Sequence, residues 1–206
     1  YNPYLPLNEY IPDGEPHVFG DRIYVFGSHD REGGTTFCEL DYVVYSAPVT
    51  DLTEWKCEGT IYRAKQDPHY CEERKQMYAP DVVQGTDGRY YLYYALAGNA
   101  GKGGFDGPIS VAVCDKPAGQ YEYYGDVHNA DGSSMSRYIP FDPAVLNDDG
   151  RIYLYYGWSL PMLSGTGKIF RRNPWRISGD YGSKCSRIGR GYDYCKKRAM
   201  QNCTGN

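Results

Sequence analysis

The sequence predicts an all-β fold made of blades set around an axis, a β-propeller with about three blades present, and three observations carry that prediction. Tyrosine and glycine are abundant, 23 and 25 of 206 residues, at a mean hydropathy of −0.65. Aromatic strand formers punctuated by turn formers give many short strands rather than amphipathic helices. A strand motif then recurs: Arg22-Ile-Tyr-Val-Phe-Gly-Ser, Arg89-Tyr-Tyr-Leu-Tyr-Tyr-Ala and Arg151-Ile-Tyr-Leu-Tyr-Tyr-Gly. The offsets are 67 residues from Arg22 to Arg89 and 62 from Arg89 to Arg151, a period that marks a repeat architecture. Finally, a turn signal precedes each copy, Gly20-Asp21, Asp87-Gly88 or Asp149-Gly150, so each copy is the second strand of a β-hairpin.

The hairpins supply the inner strands of three blades. Outer strands repeat as well: the segment from Tyr42 to Asp51 resembles that from Ile109 to Ala118, and Leu52 to Gly59 resembles Gly119 to Gly125. Two blades are thus complete. The third lacks a matching outer half, because Phe170 to Gly179 shows neither alternation nor turn spacing. Charge changes at the same place: residues 1–163 carry a net −12 and residues 164–206 a net +8, within a total of −4. The expected organisation is a partial propeller over 1–163 and an irregular, basic C-terminal tail over 164–206. A solvated tail without a specific partner is favoured over one that binds polyanions, and no nucleic-acid partner is expected.

No run of about 18 apolar residues is present to span a membrane, and the N-terminus lacks the basic region and apolar run of a signal peptide. Seven cysteines, an odd number without a C-x-x-C pair, disfavour zinc and point to a reducing, cytoplasmic compartment. A removed leader stays open, since the chain opens at Tyr1. Cys114, inside an apolar run, reads as a small buried hydrophobe.

The chemistry-bearing residues stand upstream of the hairpins, where a proline and an aspartate occur together: Pro12-Asp13, Pro80-Asp81 and Asp142-Pro143. Equivalent positions of successive blades converge on the axis. These aspartates are therefore expected to face one another across a shared cavity.

The opening Asn2-Pro-Tyr-Leu-Pro-Leu, the run Tyr10-Ile-Pro-Asp-Gly-Glu-Pro-His-Val-Phe, Gly27-Ser-His-Asp, Tyr78-Ala-Pro-Asp-Val and Phe141-Asp-Pro-Ala-Val-Leu-Asn-Asp-Asp-Gly together resemble glycoside hydrolase family 43 over residues 2–160. The resemblance implies a five-bladed propeller, here incomplete. It also implies inverting hydrolysis of β-xylosides, α-L-arabinofuranosides or arabinans, with a carbohydrate as the partner. Asp13 matches the general base that activates water, and Asp142 the aspartate that tunes and orients the general acid. Asp81 matches a pocket wall, and His29, Asp30, Tyr78 and Trp158 are candidate sugar contacts, aromatic faces being suited to stack on sugar rings.

The physical case for Asp13 and Asp142 stands beside the resemblance. An inverting glycosidase needs a carboxylate and a carboxylic acid about 6.5–9.5 Å apart, so that water fits between them, and a further carboxylate raises the acid's pKa by like-charge repulsion. The family's acid is a glutamate downstream of Asp142, whereas the last glutamate here is Glu122. Impaired turnover is therefore expected, and a non-catalytic carbohydrate-binding remnant or a truncated or frameshifted product is the alternative. Glu15, on the same strand face as Asp13, could reach the pocket rim but is a poor replacement acid. No cofactor or metal is expected, because none of His17, His29, His69 and His128 matches the histidine that often accompanies an axial cation in the family. Exposed blade edges make an oligomer a candidate state.

Overall fold

The computed structural model describes residues 4–98, 107–135 and 139–157, together with the backbone of 162–163, 169–170 and 185–188. Two four-stranded antiparallel meanders form the first blades: β1 (Glu15–Phe19), β2 (Arg22–Phe26), β3 (Tyr42–Pro48) and β4 (Lys56–Tyr62), then β5 (Gln76–Gln84), β6 (Tyr90–Ala97), β7 (Ile109–Cys114) and β8 (Glu122–Asp126). The third sheet holds β9 (Ala144–Asp148) and β10 (Arg151–Tyr155). β11 (Met162–Leu163) and β12 (Ile169–Phe170) pair separately, and β13 (Cys185–Ile188) pairs with β10. The three expected hairpins are all present, and the chain beyond 164, expected as an unpaired extension, places β13 as the third strand of the third sheet.

Turn chemistry fixes each hairpin. Asp149 and Gly150 both adopt positive φ, 48° and 78°, the mirror-image turn whose twist matches the flanking strands. Gly20, at φ 65°, opens the equally short first hairpin. The middle connection is one residue longer: Gly85 and Arg89 flank Thr86-Asp87-Gly88, and the Gly88 N–H donates to the Gly85 carbonyl at 3.0 Å.

Blade 2 is the centre of the described structure. Successive side chains of a strand face opposite sides, and β6 uses both. Leu92, Tyr94 and Leu96 enter the core shared with Phe26, Tyr42, Val44, Ile61 and Tyr62 of blade 1. Tyr91 and Tyr93 enter a second core with Val145, Ile152 and Leu154 of blade 3. Buried tyrosine hydroxyls find partners across the blades: Tyr62 and Tyr94 bond at 2.9 Å, and Tyr94 donates to the buried Asp67 carboxylate. Those contacts satisfy polar groups that would otherwise cost about 1–3 kcal/mol each. The helical content of the described residues is one short turn, Ala64–Gln66. No helix among the described residues is long and apolar enough to cross a membrane.

Candidate active site

The inner strands β1, β5 and β9 begin at the same end of the blades, and their pairing defines which residues are equivalent. Glu15 pairs with Phe26, Asp81 with Tyr93 and Ala144 with Tyr155. Phe26, Tyr93 and Tyr155 are the fifth residues of the three repeat motifs. Glu15, Asp81 and Ala144 are therefore equivalent, and the residues two positions earlier are Asp13, Ala79 and Asp142. All three of these have positive φ, 55°, 35° and 57°, a conformation that costs a residue with a Cβ about 1–3 kcal/mol. This corrects the expected equivalence: Asp13 and Asp142 share a position, while Asp81 lies two residues further along, at the position of Glu15. The counterpart of the two in blade 2 is an alanine.

The charge of Asp13 reaches Asp142. Burial, followed by the charge of Asp13, holds the Asp142 carboxyl above its ordinary range. Glu15 lies in the same field: burial raises its carboxyl most, Asp81 next, with His17 opposing and Asp142 and Asp13 adding smaller upward pushes. The two aspartates and Glu15 therefore form one acidic cluster at the starts of the inner strands.

The turn holding Asp13 is packed against the end of β2. At Gly27 a Cβ would meet Ile11 Cγ2 at 2.6 Å and the Pro12 carbonyl at 2.8 Å, so only glycine admits this close approach. The next residue, Ser28, is fully buried, and its hydroxyl donates to Asp13 Oδ2 at 3.0 Å. Ser28 Oγ also accepts the Ala79 N–H at 2.8 Å. Cys38 sits against the same hydroxyl at φ 55°, and burial pushes its thiol up to about 12, against a downward pull from Ser28.

The other expected site residues fall into different roles. Asp81 is 2% exposed and its oxygens are occupied: Oδ1 faces His17 Nε2 at 2.5 Å and accepts the Val82 N–H, and Oδ2 accepts the Val145 N–H at 2.6 Å. It ties blades 1, 2 and 3 together in place of the expected pocket wall. His29 is likewise a brace, its Nδ1 on the Asp41 carbonyl at 2.8 Å and its Nε2 on Glu9 at 2.9 Å, with no ring nitrogen left for a sugar. Asp30 accepts the Cys38 N–H and its own N–H donates to the Tyr10 carbonyl. It lines a cleft of about 280 Å³ with Tyr10, Arg31, Thr36 and Phe37, two residues beyond Ser28. Tyr78 is half-buried, and its ring meets Phe141 at 5.2 Å, beside Asp142. Burial pushes its hydroxyl up to about 12. Trp158 lies outside the described residues.

Glu15, His17 and Asp81 each bring one ligand atom within 4.8 Å of the others, the only such grouping found among the described residues. Asp81, the most buried of the three, is already committed to two amides and His17. Ser28 and Ala79 escaped the sequence reading. The signal was there: extending the first hairpin's register two residues past Glu15 and Phe26 sets Ser28 opposite Asp13.

Comparison with known proteins identifies the family of the fold. The model of glycosyl hydrolases family 43 matches residues 10–171. A xylosidase/arabinosidase of Thermoclostridium stercorarium is 53% identical over 162 residues, 77% of this chain and 33% of that protein. Xylosidase/arabinosidase 43A of Humicola insolens is 32% identical, over 74% of this chain and 45% of its own length. Among solved structures, a GH43 β-xylosidase/α-arabinofuranosidase from a compost microbial metagenome, in complex with xylotriose, superposes with a TM-score of 0.58 at 28% identity, covering 84% of this chain and 50% of that one. The GH43_1 enzyme from Xanthomonas citri complexed with xylotriose gives 0.56 at 31%, over 75% and 42%. The chain spans a third to a half of the length of these relatives. With most of its residues matched by that model and its fold superposing on those structures, the chain belongs to glycosyl hydrolase family 43.

Proposed function

We propose that this chain carries the water-activating half of an inverting glycosidase for xylosyl or arabinofuranosyl linkages. The observation that carries the reading is the shared turn geometry of Asp13 and Asp142, with the charge of Asp13 acting on Asp142. Asp13 is the base: Oδ2 is held by Ser28, and Oδ1 takes no hydrogen bond among the described residues, so it is the oxygen that takes a proton from water. Asp142 is the modulator, whose negative charge keeps a nearby carboxylic acid protonated. The half-buried Tyr78 ring beside Phe141 forms an apolar wall on which a sugar ring stacks. The names of the relatives, xylosidase/arabinosidase in the most similar cases, support the substrate class.

The acid sets the test. The family's acid is a glutamate downstream of the third inner strand, and the last glutamate here is Glu122. A leaving group that departs without a proton does not need that acid. The isolated chain is therefore expected to hydrolyse dinitrophenyl xyloside or arabinofuranoside slowly, to leave xylobiose intact, and to lose the residual activity in Asp13→Ala. Equal turnover of both substrates, or activity that survives Asp13→Ala, would sink this account. Binding of xylobiose without any hydrolysis of the activated substrate would leave the second reading, a carbohydrate-binding module, which the position of Glu122 favours.

A further inference from the structure

We propose that Ser28 is the positioning residue for Asp13, and that blade 2 serves the site through the backbone of Ala79 where its neighbours supply carboxylates. The inference rests on the reading of Asp13 as the base.

Three pseudo-equivalent positions start from the same local geometry and diverge in chemistry. Asp13 and Asp142 stand just ahead of β1 and β9 and Ala79 at the bulge within β5, and all three have positive φ. The residues that follow the fifth motif position by two are Ser28, Ala95 and Gly157. Only blade 1 has a hydroxyl there. In blade 3 the same place is Gly157, whose N–H donates to the Phe141 carbonyl at 2.8 Å and which has no side chain to offer Asp142. The two aspartates therefore receive different treatment, although their backbones match.

The hydrogen-bond capacity of a serine determines the rest. A hydroxyl has one proton and two lone pairs. Ala79 N–H occupies one lone pair of Ser28 at 2.8 Å. Its one proton goes to Asp13 Oδ2, at 3.0 Å. Since Ser28 is fully buried, water does not compete for that proton. The bulge in β5 at Ala79, with its φ of 35°, is what aims the blade 2 amide at Ser28, so the strain at an alanine that carries no charge has a use. The consequence is a fixed carboxylate plane: Oδ2 is tethered, and Oδ1 is turned toward the position of the attacking water. A base held in this way gains from orientation, which affects the chemical step and not substrate affinity.

The test uses the whole chain with an aryl glycoside that carries a good leaving group. Ser28→Ala is expected to lower kcat about 10- to 100-fold with KM within about threefold. Ser28→Thr, which keeps the hydroxyl, is expected to recover most of the loss. A loss confined to KM, or a Ser28→Ala kcat within about threefold of the parent, overturns the proposal. Asp13→Ala is run alongside: if it retains full turnover, the base assignment fails, which is distinct from failure of Ser28 alone. Should the parent be too slow to assay, the side-chain ¹³C carboxyl resonance of Asp13, assigned by its loss in Asp13→Asn, provides the second measurement. Its chemical shift at a fixed pH is expected to move in Ser28→Ala and to return in Ser28→Thr, and an unmoved resonance refutes the proposal.

Discussion

Blade 2 and blade 3 are built on nearly the same strand motif and are packed differently. In blade 2 the central strand Tyr90–Ala97 is buried from Tyr91 onward on both faces, because blade 1 covers one side and blade 3 the other. In blade 3 the strand Arg151–Tyr155 alternates: Ile152 and Leu154 are buried against blade 2, while Tyr155 is 46% exposed and Leu146 of the neighbouring strand 51%. The contrast shows that radial repeats are stabilised by their neighbours more than by themselves, since each sheet can bury a face only by lending it to the next. The continuous apolar run from Tyr91 to Ala97 and the broken one in blade 3 are the sequence record of that difference.

The largest effect is expected where blade 2 is covered on both sides. Leu92 is fully buried in the core shared with blade 1, and Leu92→Ala is expected to destabilise the chain by about 3–4 kcal/mol, from lost burial plus the cavity left behind. Leu146→Ala, on the open face of blade 3, is expected to stay within about 0.5 kcal/mol. Urea unfolding of both variants checks the contrast, and equal losses would mean that the two faces are equally covered.

A smaller effect is expected at the joint between the blades. Asp81 receives amides from its own strand and from Val145 of blade 3, and meets His17 of blade 1. Asp81→Asn turns one acceptor oxygen into a donor facing an N–H, leaving a buried amide unpaired at a cost of about 2 kcal/mol. If Asp81 only lined a sugar pocket, the variant would weaken binding and leave the unfolding midpoint unchanged.

Most of the architecture was legible in the residues. The three arginine-led motifs and their turns located the hairpins, and the shared head position of Asp13 and Asp142 followed from the same repeat. The misassignment of Asp81 has a definite cause. The middle hairpin carries the extra residue of Thr86-Asp87-Gly88, so its motif is offset by 67 residues while Asp13 and Ala79 are 66 apart. A proline beside an aspartate was then read as the same feature in all three blades. Counting register through the turn separates them: Asp81 stands 68 residues after Asp13 but 66 after Glu15, so it shares the position of Glu15. The bracing role of His29 could not be read in this way: it depends on Glu9 and the Asp41 carbonyl, which come together only through the packing of two loops.

The smallest effect concerns the pair of aspartates and has the opposite sign. Asp142 has its carboxyl raised by burial and then by the charge of Asp13. A carboxyl raised on folding holds its proton more tightly in the native state, so its favourable contribution is complete at low pH and is lost as pH rises through the raised value. Near neutrality the ionised Asp142 is therefore a cost to stability. Asn keeps its shape, is at ease at a φ of 57°, and carries no charge. Asp142→Asn is expected to be more stable than the parent at pH 7, by less than about 1 kcal/mol because solvent reaches the group and screens it. The gap should close below about pH 4, where the parent's carboxyl is protonated as well. Urea unfolding across that range checks it, and a gap that stays constant with pH would trace the gain to backbone preference alone. The same substitution removes the charge assigned to tuning the acid, so a gain in stability together with a fall in turnover of substrates whose leaving group needs a proton would mark this position as held for chemistry at the expense of the fold.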